Sequence, residues 1–260
     1  MIKKKSGSAI ILTVLAVLIF LFMYLPIIIV VVYSFNPELV NSFPMKGVSL
    51  KWFQKMFADT DLMNSLLHSV IVAIISTLIA CALGVPGAYA MYRYDFKGKA
   101  IINRMVMLPL ILPGILTGIA MLTLFKALGI NQGMGAVIVG HSTFLIAVVL
   151  PQVYSRLQRM DRNIIEAAED LGATEFQNFR YVILPNIKTA IVSGALLSFT
   201  LSMDEIPVTY FLNGIFQTLP LQIWGMARNG ITPEVNAIST FIFVISLVVI
   251  LLSNRLEKEE

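Results

Sequence analysis

Residues 161–185 read DRNIIEAAEDLGATEFQNFRYVILP, a charged stretch between two apolar runs at 136–154 and 189–211. Asp161 is placed to cap a helix whose apolar positions, Ile164, Ala168 and Leu171, recur at helical spacing. Gly172 follows where a left-handed C-terminal residue is wanted. Thr174 and Gln177 give a capping box for a second helix, and Pro185 marks where that helix yields to the next apolar run. The spacing therefore predicts a helix–turn–helix. With Arg159, Arg162, Glu166, Glu169, Asp170 and Glu175 it holds a density of charge unlike the rest of the chain. A short amphipathic hairpin with a charged rim suits a groove on another protein.

Outward from this hairpin the chain is a membrane protein. Its 260 residues are 57% hydrophobic and only 13% charged, with mean hydropathy +0.83. A soluble domain carries roughly 25% charged residues, so too few polar side chains remain to clothe a water-facing surface. That excludes a soluble globular enzyme. A crossing helix needs about 20 apolar residues, and six runs qualify: about 9–33, 65–91, 105–125, 136–154, 189–211 and 235–253. Lys3, Lys4 and Lys5 precede the first run, which is too long for a signal h-region and lacks a cleavage pattern, so it reads as a retained span. The expected architecture is all-α and polytopic, a single transmembrane domain over 1–260 with a cytoplasmic loop at 155–188.

Six spans put both ends on one side. Fourteen of the 19 Lys and Arg residues fall on the face that holds the termini and the hairpin, which by the positive-inside rule is cytoplasmic. The pI near 9.2 is thus a topology signal and gives no reason to expect nucleic acid. A single cysteine, Cys81, leaves no disulfide framework.

Glu166-Ala167-Ala168, then Gly172, then Val182-Ile183-Leu184-Pro185 resembles the "EAA" loop of the membrane permeases of ATP-binding-cassette importers. The family prefers Ile where Val182 stands. The runs at 83–90 (LGVPGAYA) and 108–114 (LPLILPG) are similar to type I importer permeases, and those at 218–224 (TLPLQIW) and 230–237 (GITPEVNA) to spermidine/putrescine permeases of the second-subunit type. The resemblance implies a type I importer permease fold in the bacterial inner membrane. It also implies that the loop, through Asp161, Glu166, Ala167, Ala168, Gly172, Leu184 and Pro185, couples to a cytoplasmic ATPase present in two copies. A second homologous permease subunit, an external solute-binding protein and membrane lipid complete the expected partners. No P-loop run occurs, since Gly98-Lys99 is followed by Ala100. The chain is therefore expected to be a non-catalytic subunit without cofactor or metal. A polyamine is the favoured cargo; a metal ion, oxyanion, thiamine or phosphonate stays open. A secondary transporter or channel would account for the spans but not for the hairpin.

Within the fifth run stand Asp204 and Glu205, about 22–24 Å along a helix started at Thr189. Carboxylates at such depth face a bundle interior or a wet cavity, and Pro207 is expected to kink or break the helix beside them. Ser198, Ser202, Glu205 and Thr209 share one face, which favours Glu205 over Asp204 as the cargo contact, with Ser202 and Thr209 beside it. Ala190, Gly194, Ser198 and Ser202 also form a small-residue stripe of the kind that packs membrane helices. His68 and His141 are expected at span edges as structural residues, Tyr89, Tyr92, Tyr94 and Phe96 in an interfacial belt, and Trp224 on a short outer helix.

Overall fold

The computed structural model describes residues 7–40, 42–228, 230 and 232–256, and all regular structure among them is helical. Lys3, Lys4, Lys5, Ile231 and Lys258 lie outside the described residues, as do the side chains of Arg162 and Arg255.

Twelve helices follow in order among the described residues. They are α1 (Gly7–Tyr33), α2 (Lys51–Ala58), α3 (Thr60–Arg93), α4 (Lys99–Ile111), α5 (Gly114–Ala127), α6 (Met134–Gln158), α7 (Arg162–Asp170), α8 (Glu175–Gln177), α9 (Leu184–Met203), α10 (Pro207–Leu212), α11 (Leu219–Arg228) and α12 (Pro233–Leu256), with a π-helix at Asn178–Ile183 before α9. Among the described residues, four helical runs are long and apolar enough to cross a bilayer: Ile11–Tyr33, Thr60–Arg93, Met134–Gln158 and Glu175–Met203. The α4–α5 pair qualifies together, bent by 105°, and Pro233–Leu247 is a shorter apolar helix. These correspond in order to the six expected runs.

Two runs are not continuous helices; the break in the fifth was expected at Pro207, and the one in the third was not. The third divides at Leu112 and Pro113. Leu112 is extended (φ −69°, ψ 142°), as a residue before proline prefers, and Pro113 then opens α5. The fifth stops at Met203 and resumes at Pro207, which occupies the first turn of α10, where a missing N–H costs little. Pro185, expected to end a helix, does not. It stands in the first turn of α9 after the wider π winding, and the chain stays helical from Glu175 to Met203.

The chain folds as two compact units, one reaching Met63 and resuming at Ile223, the other spanning Asn64–Gln222. In the first, α2 and α1 pack on α12. Trp52 and Met56 are buried, Trp52 Nε1 donates to the Asn36 carbonyl at 2.7 Å, Phe57 meets Phe241 edge-on, and Lys55 pairs with the buried Glu234.

The second unit is built around α6, the most deeply buried of the long helices. Small residues let its neighbours approach. A Cβ on Gly140 would stand 2.6 Å from Leu212 Cδ1, and one on Gly118 would stand 2.7 Å from Phe211 Cδ2 and 3.1 Å from the Pro207 carbonyl. The short α10 is therefore wedged between α5 and α6. Gly194, Ser198 and Ser202 are buried where α9 packs on α6, so these members of the small-residue stripe pack helices within the chain.

Candidate functional site

The hairpin forms as its punctuation dictates. Asp161 accepts from the Asn163 N–H at 3.0 Å, Gly172 takes φ +83°, and Thr174 with Gln177 closes the capping box. Its apolar stripe is oriented differently from expectation. Ile165 is buried and Ala168 half-buried, whereas Ile164 and Leu171 face outward, Leu171 at 90% exposure. Phe176 and Tyr181 are exposed as well. Glu166 and Ala167 are exposed, and Leu184 is half-buried with Pro185 exposed beyond the π turn.

The aromatic residues at the end of α3 hold this hairpin rather than forming only a belt. Tyr89 packs on Phe179 with ring centroids 4.9 Å apart. Arg93 pairs with Glu169 at 2.9 Å, and the Tyr94 hydroxyl donates to Glu175 at 2.7 Å. That bond to a carboxylate raises the Tyr94 phenol above its ordinary pKa. Asn178 adds a bond to the Ile165 carbonyl at 3.4 Å.

Around the acidic pair, the breaks in the third and fifth spans face each other. A Cβ on Gly114 would lie 2.9 Å from Pro207 and 3.8 Å from Glu205 Oε1. Glu205 is half-buried and accepts the Val208 N–H at 2.7 Å, whereas Asp204 is exposed. Glu205 borders a cavity of about 190 Å³ lined also by Pro109, Leu110, Leu112, Gly114, Thr117, Phe144, Leu201 and Val208. The Pro109 to Pro113 spacing was the sequence signal for this second wall, and its meaning emerges only when the two breaks meet.

The polar stripe divides at the break. Glu205 borders the cavity, but Ser198, Ser202 and Thr209 are buried on the α6 side. There His141, 1% exposed and well inside α6 rather than at a span edge, contacts Ser202 Oγ through Nδ1 at 2.7 Å and Thr209 Oγ1 through Nε2 at 2.8 Å. The His68 Nδ1 donates to the Gln217 carbonyl at 3.0 Å. Trp224 lies on α11, 39% exposed, beneath the Arg228 guanidinium.

This geometry coincides with a known family. The model of the binding-protein-dependent transport system inner membrane component matches residues 82–258, which include the hairpin and both helix breaks. The chain belongs to that family. It is a multi-pass membrane component of a transport system. Its curated relatives include the spermidine/putrescine transport system permease proteins PotC of Haemophilus influenzae, 37% identical over 93% of this chain and 94% of that one, and of Escherichia coli strain K12, 38% identical over 93% and 92%. The putrescine transport system permease protein PotI of the same strain is 35% identical over 95% of this chain and 92% of its own. Among solved structures, a bacterial ABC transporter involved in the import of the acidic polysaccharide alginate shares the fold, with TM-score 0.71 at 18% identity over 97% of this chain and 98% of that one.

Proposed function

We propose that this chain is one permease half of an ATP-binding-cassette importer carrying a polyamine of the spermidine or putrescine type. The observation that carries the reading is Glu205, a half-buried carboxylate at two facing helix breaks. Relatives that are polyamine permeases supply the cargo class. A polyamine presents ammonium groups spaced by methylenes. In a medium of low dielectric a carboxylate is an effective counter-charge, broken spans are a common frame for such a site, and the Leu, Pro and Phe144 side chains that line the cavity accept methylenes. Asp204, exposed one residue earlier, extends the negative field. Ser202 and Thr209 act from behind the break.

In the same reading the hairpin docks on a cytoplasmic ATPase, one of two copies, with Leu171, Phe176 and Tyr181 as its apolar contact and Glu166 on the rim. Asp161, Ala167, Ala168, Gly172, Leu184 and Pro185 give the hairpin its shape. A second homologous permease completes the pathway, an external binding protein delivers the cargo, and both termini are cytoplasmic.

The test is uptake of labelled spermidine by the complete importer in proteoliposomes. Glu205→Gln removes the counter-charge and is expected to slow uptake roughly tenfold, the equivalent of about 1.4 kcal/mol, with assembly intact. Unchanged uptake would mean that the cargo does not meet this carboxylate.

A further inference from the structure

We infer that His141 is a positioning residue for cargo passage, a staple that fixes the broken fifth span so that Glu205 faces the cavity. The inference rests on the reading of Glu205 given above. His141 touches the last turn of α9 through Ser202 and the first turn of α10 through Thr209, so a single imidazole bridges the break. Thr209 in turn donates to the Glu205 carbonyl at 3.0 Å. A carbonyl can only accept, so the Thr209 proton points at Glu205 and its oxygen must accept from His141 Nε2–H. Nδ1 is then left to accept from the Ser202 hydroxyl. The chain of bonds Ser202–His141–Thr209–Glu205 has one consistent direction, and it ends on the residue whose side chain borders the cavity. The Val208 N–H holds the other end of that residue, its carboxylate.

A bilayer offers no water to a broken span, so freed polar groups at the break need internal partners. Thr209 supplies one such partner by donating to the Glu205 carbonyl, and His141 holds Thr209 and Ser202 on either side of the break. It also ties both half-helices to α6, the most buried long helix of its unit. Displacement of a reacting or binding group by about 1 Å can cost on the order of 100-fold in rate, which is the leverage such a staple has over Glu205.

The experiment measures spermidine imported per ATP hydrolysed by the complete reconstituted importer, together with assembly and thermal stability. His141→Leu and Thr209→Val each cut the bond chain while keeping bulk. Each is expected to lower the ratio by at least about tenfold in an assembled complex, the double variant is expected to be no worse than either single one, and Thr209→Ser, which keeps the hydroxyl, restores the ratio. A merely structural histidine would instead lower assembly or stability and leave the ratio of the surviving complexes unchanged. Should His141→Leu not assemble, Thr209→Val decides alone: a normal ratio in that variant overturns the staple, as does strict additivity in the double variant. Glu205→Gln run in parallel separates the two ideas. A loss there with normal His141 and Thr209 variants removes the staple only. A normal Glu205→Gln removes the cargo-contact reading, whatever the staple variants do.

Discussion

Gly172 is the residue on which the hairpin turns. Its φ of +83° is one that side chains with a Cβ avoid, although nothing lies within 4 Å of where that Cβ would stand. The obstacle to substitution is thus conformational, not steric. Gly172→Ala should cost about 1–2 kcal/mol locally, seen as a modest fall in ATPase affinity. Gly172→Pro should do more, since it forbids the angle and deletes the N–H that donates to the Glu169 carbonyl at 2.9 Å. It should uncouple ATP hydrolysis from uptake while the protein still inserts, and normal uptake by this variant would remove the hairpin from the mechanism. Gly118 presents the opposite case. Its backbone angle is ordinary, but a Cβ would press on the Phe211 ring and the Pro207 carbonyl. Gly118→Ala should therefore destabilise the α5–α10 contact by about 1–3 kcal/mol, measurable as a lower melting temperature of the purified complex.

At the scale of elements, the hairpin is tied to the end of α3 through Arg93, Tyr94, Glu169 and Glu175, all at least partly exposed. Each such contact contributes little alone. The Tyr94 bond nonetheless has a pH signature. Its phenol is raised in the folded chain by the Glu175 carboxylate, so the contact is fully present below the ordinary tyrosine value of about 10 and is lost as pH rises through the folded value. Coupling measured against pH should be flat through neutrality and fall on the alkaline side, and Tyr94→Phe should remove that limb; an identical profile in the variant would exclude the contact. The caps and the turn of this element were legible in the sequence because Asp161, Gly172, Thr174 and Gln177 act within a few residues of themselves. The facing of the stripe was not legible. Ile164 and Ile165 are adjacent, and only the packing of the α7 segment on the π-helix, with Asn178 bonded to Ile165, selects which one is buried. Likewise Pro207 announced one break, whereas Pro113 stood within an apolar run long enough to cross the membrane, and the break beside it at Leu112 was not read. His141 looked peripheral because its partners stand 61 and 68 residues away.

For the whole molecule, the distribution of charge supports the proposed orientation, in which the hairpin faces the cytoplasm. Fourteen of the 19 basic residues lie in the termini, the segment around Arg93 to Arg104 and the hairpin loop. Moving such a set across a membrane during insertion is opposed by the bias that retains Lys and Arg in the cytoplasm. The carboxylates of the hairpin contribute little to that bias. The same face carries the exposed Leu171, Phe176 and Tyr181, an apolar set that bare solvent does not favour and that a protein groove would cover. Orientation and coupling are therefore one claim. It is checked with a Cys81→Ser background and single cysteines at two exposed sites, Phe176 in the hairpin and Ile215 in the loop after α10. A membrane-impermeant maleimide should label Ile215→Cys in intact cells and Phe176→Cys only after permeabilisation. The reverse pattern would place the hairpin on the face opposite to any cytoplasmic ATPase, leaving its apolar surface without a partner and the breaks at Leu112 and Asp204 without a source of movement.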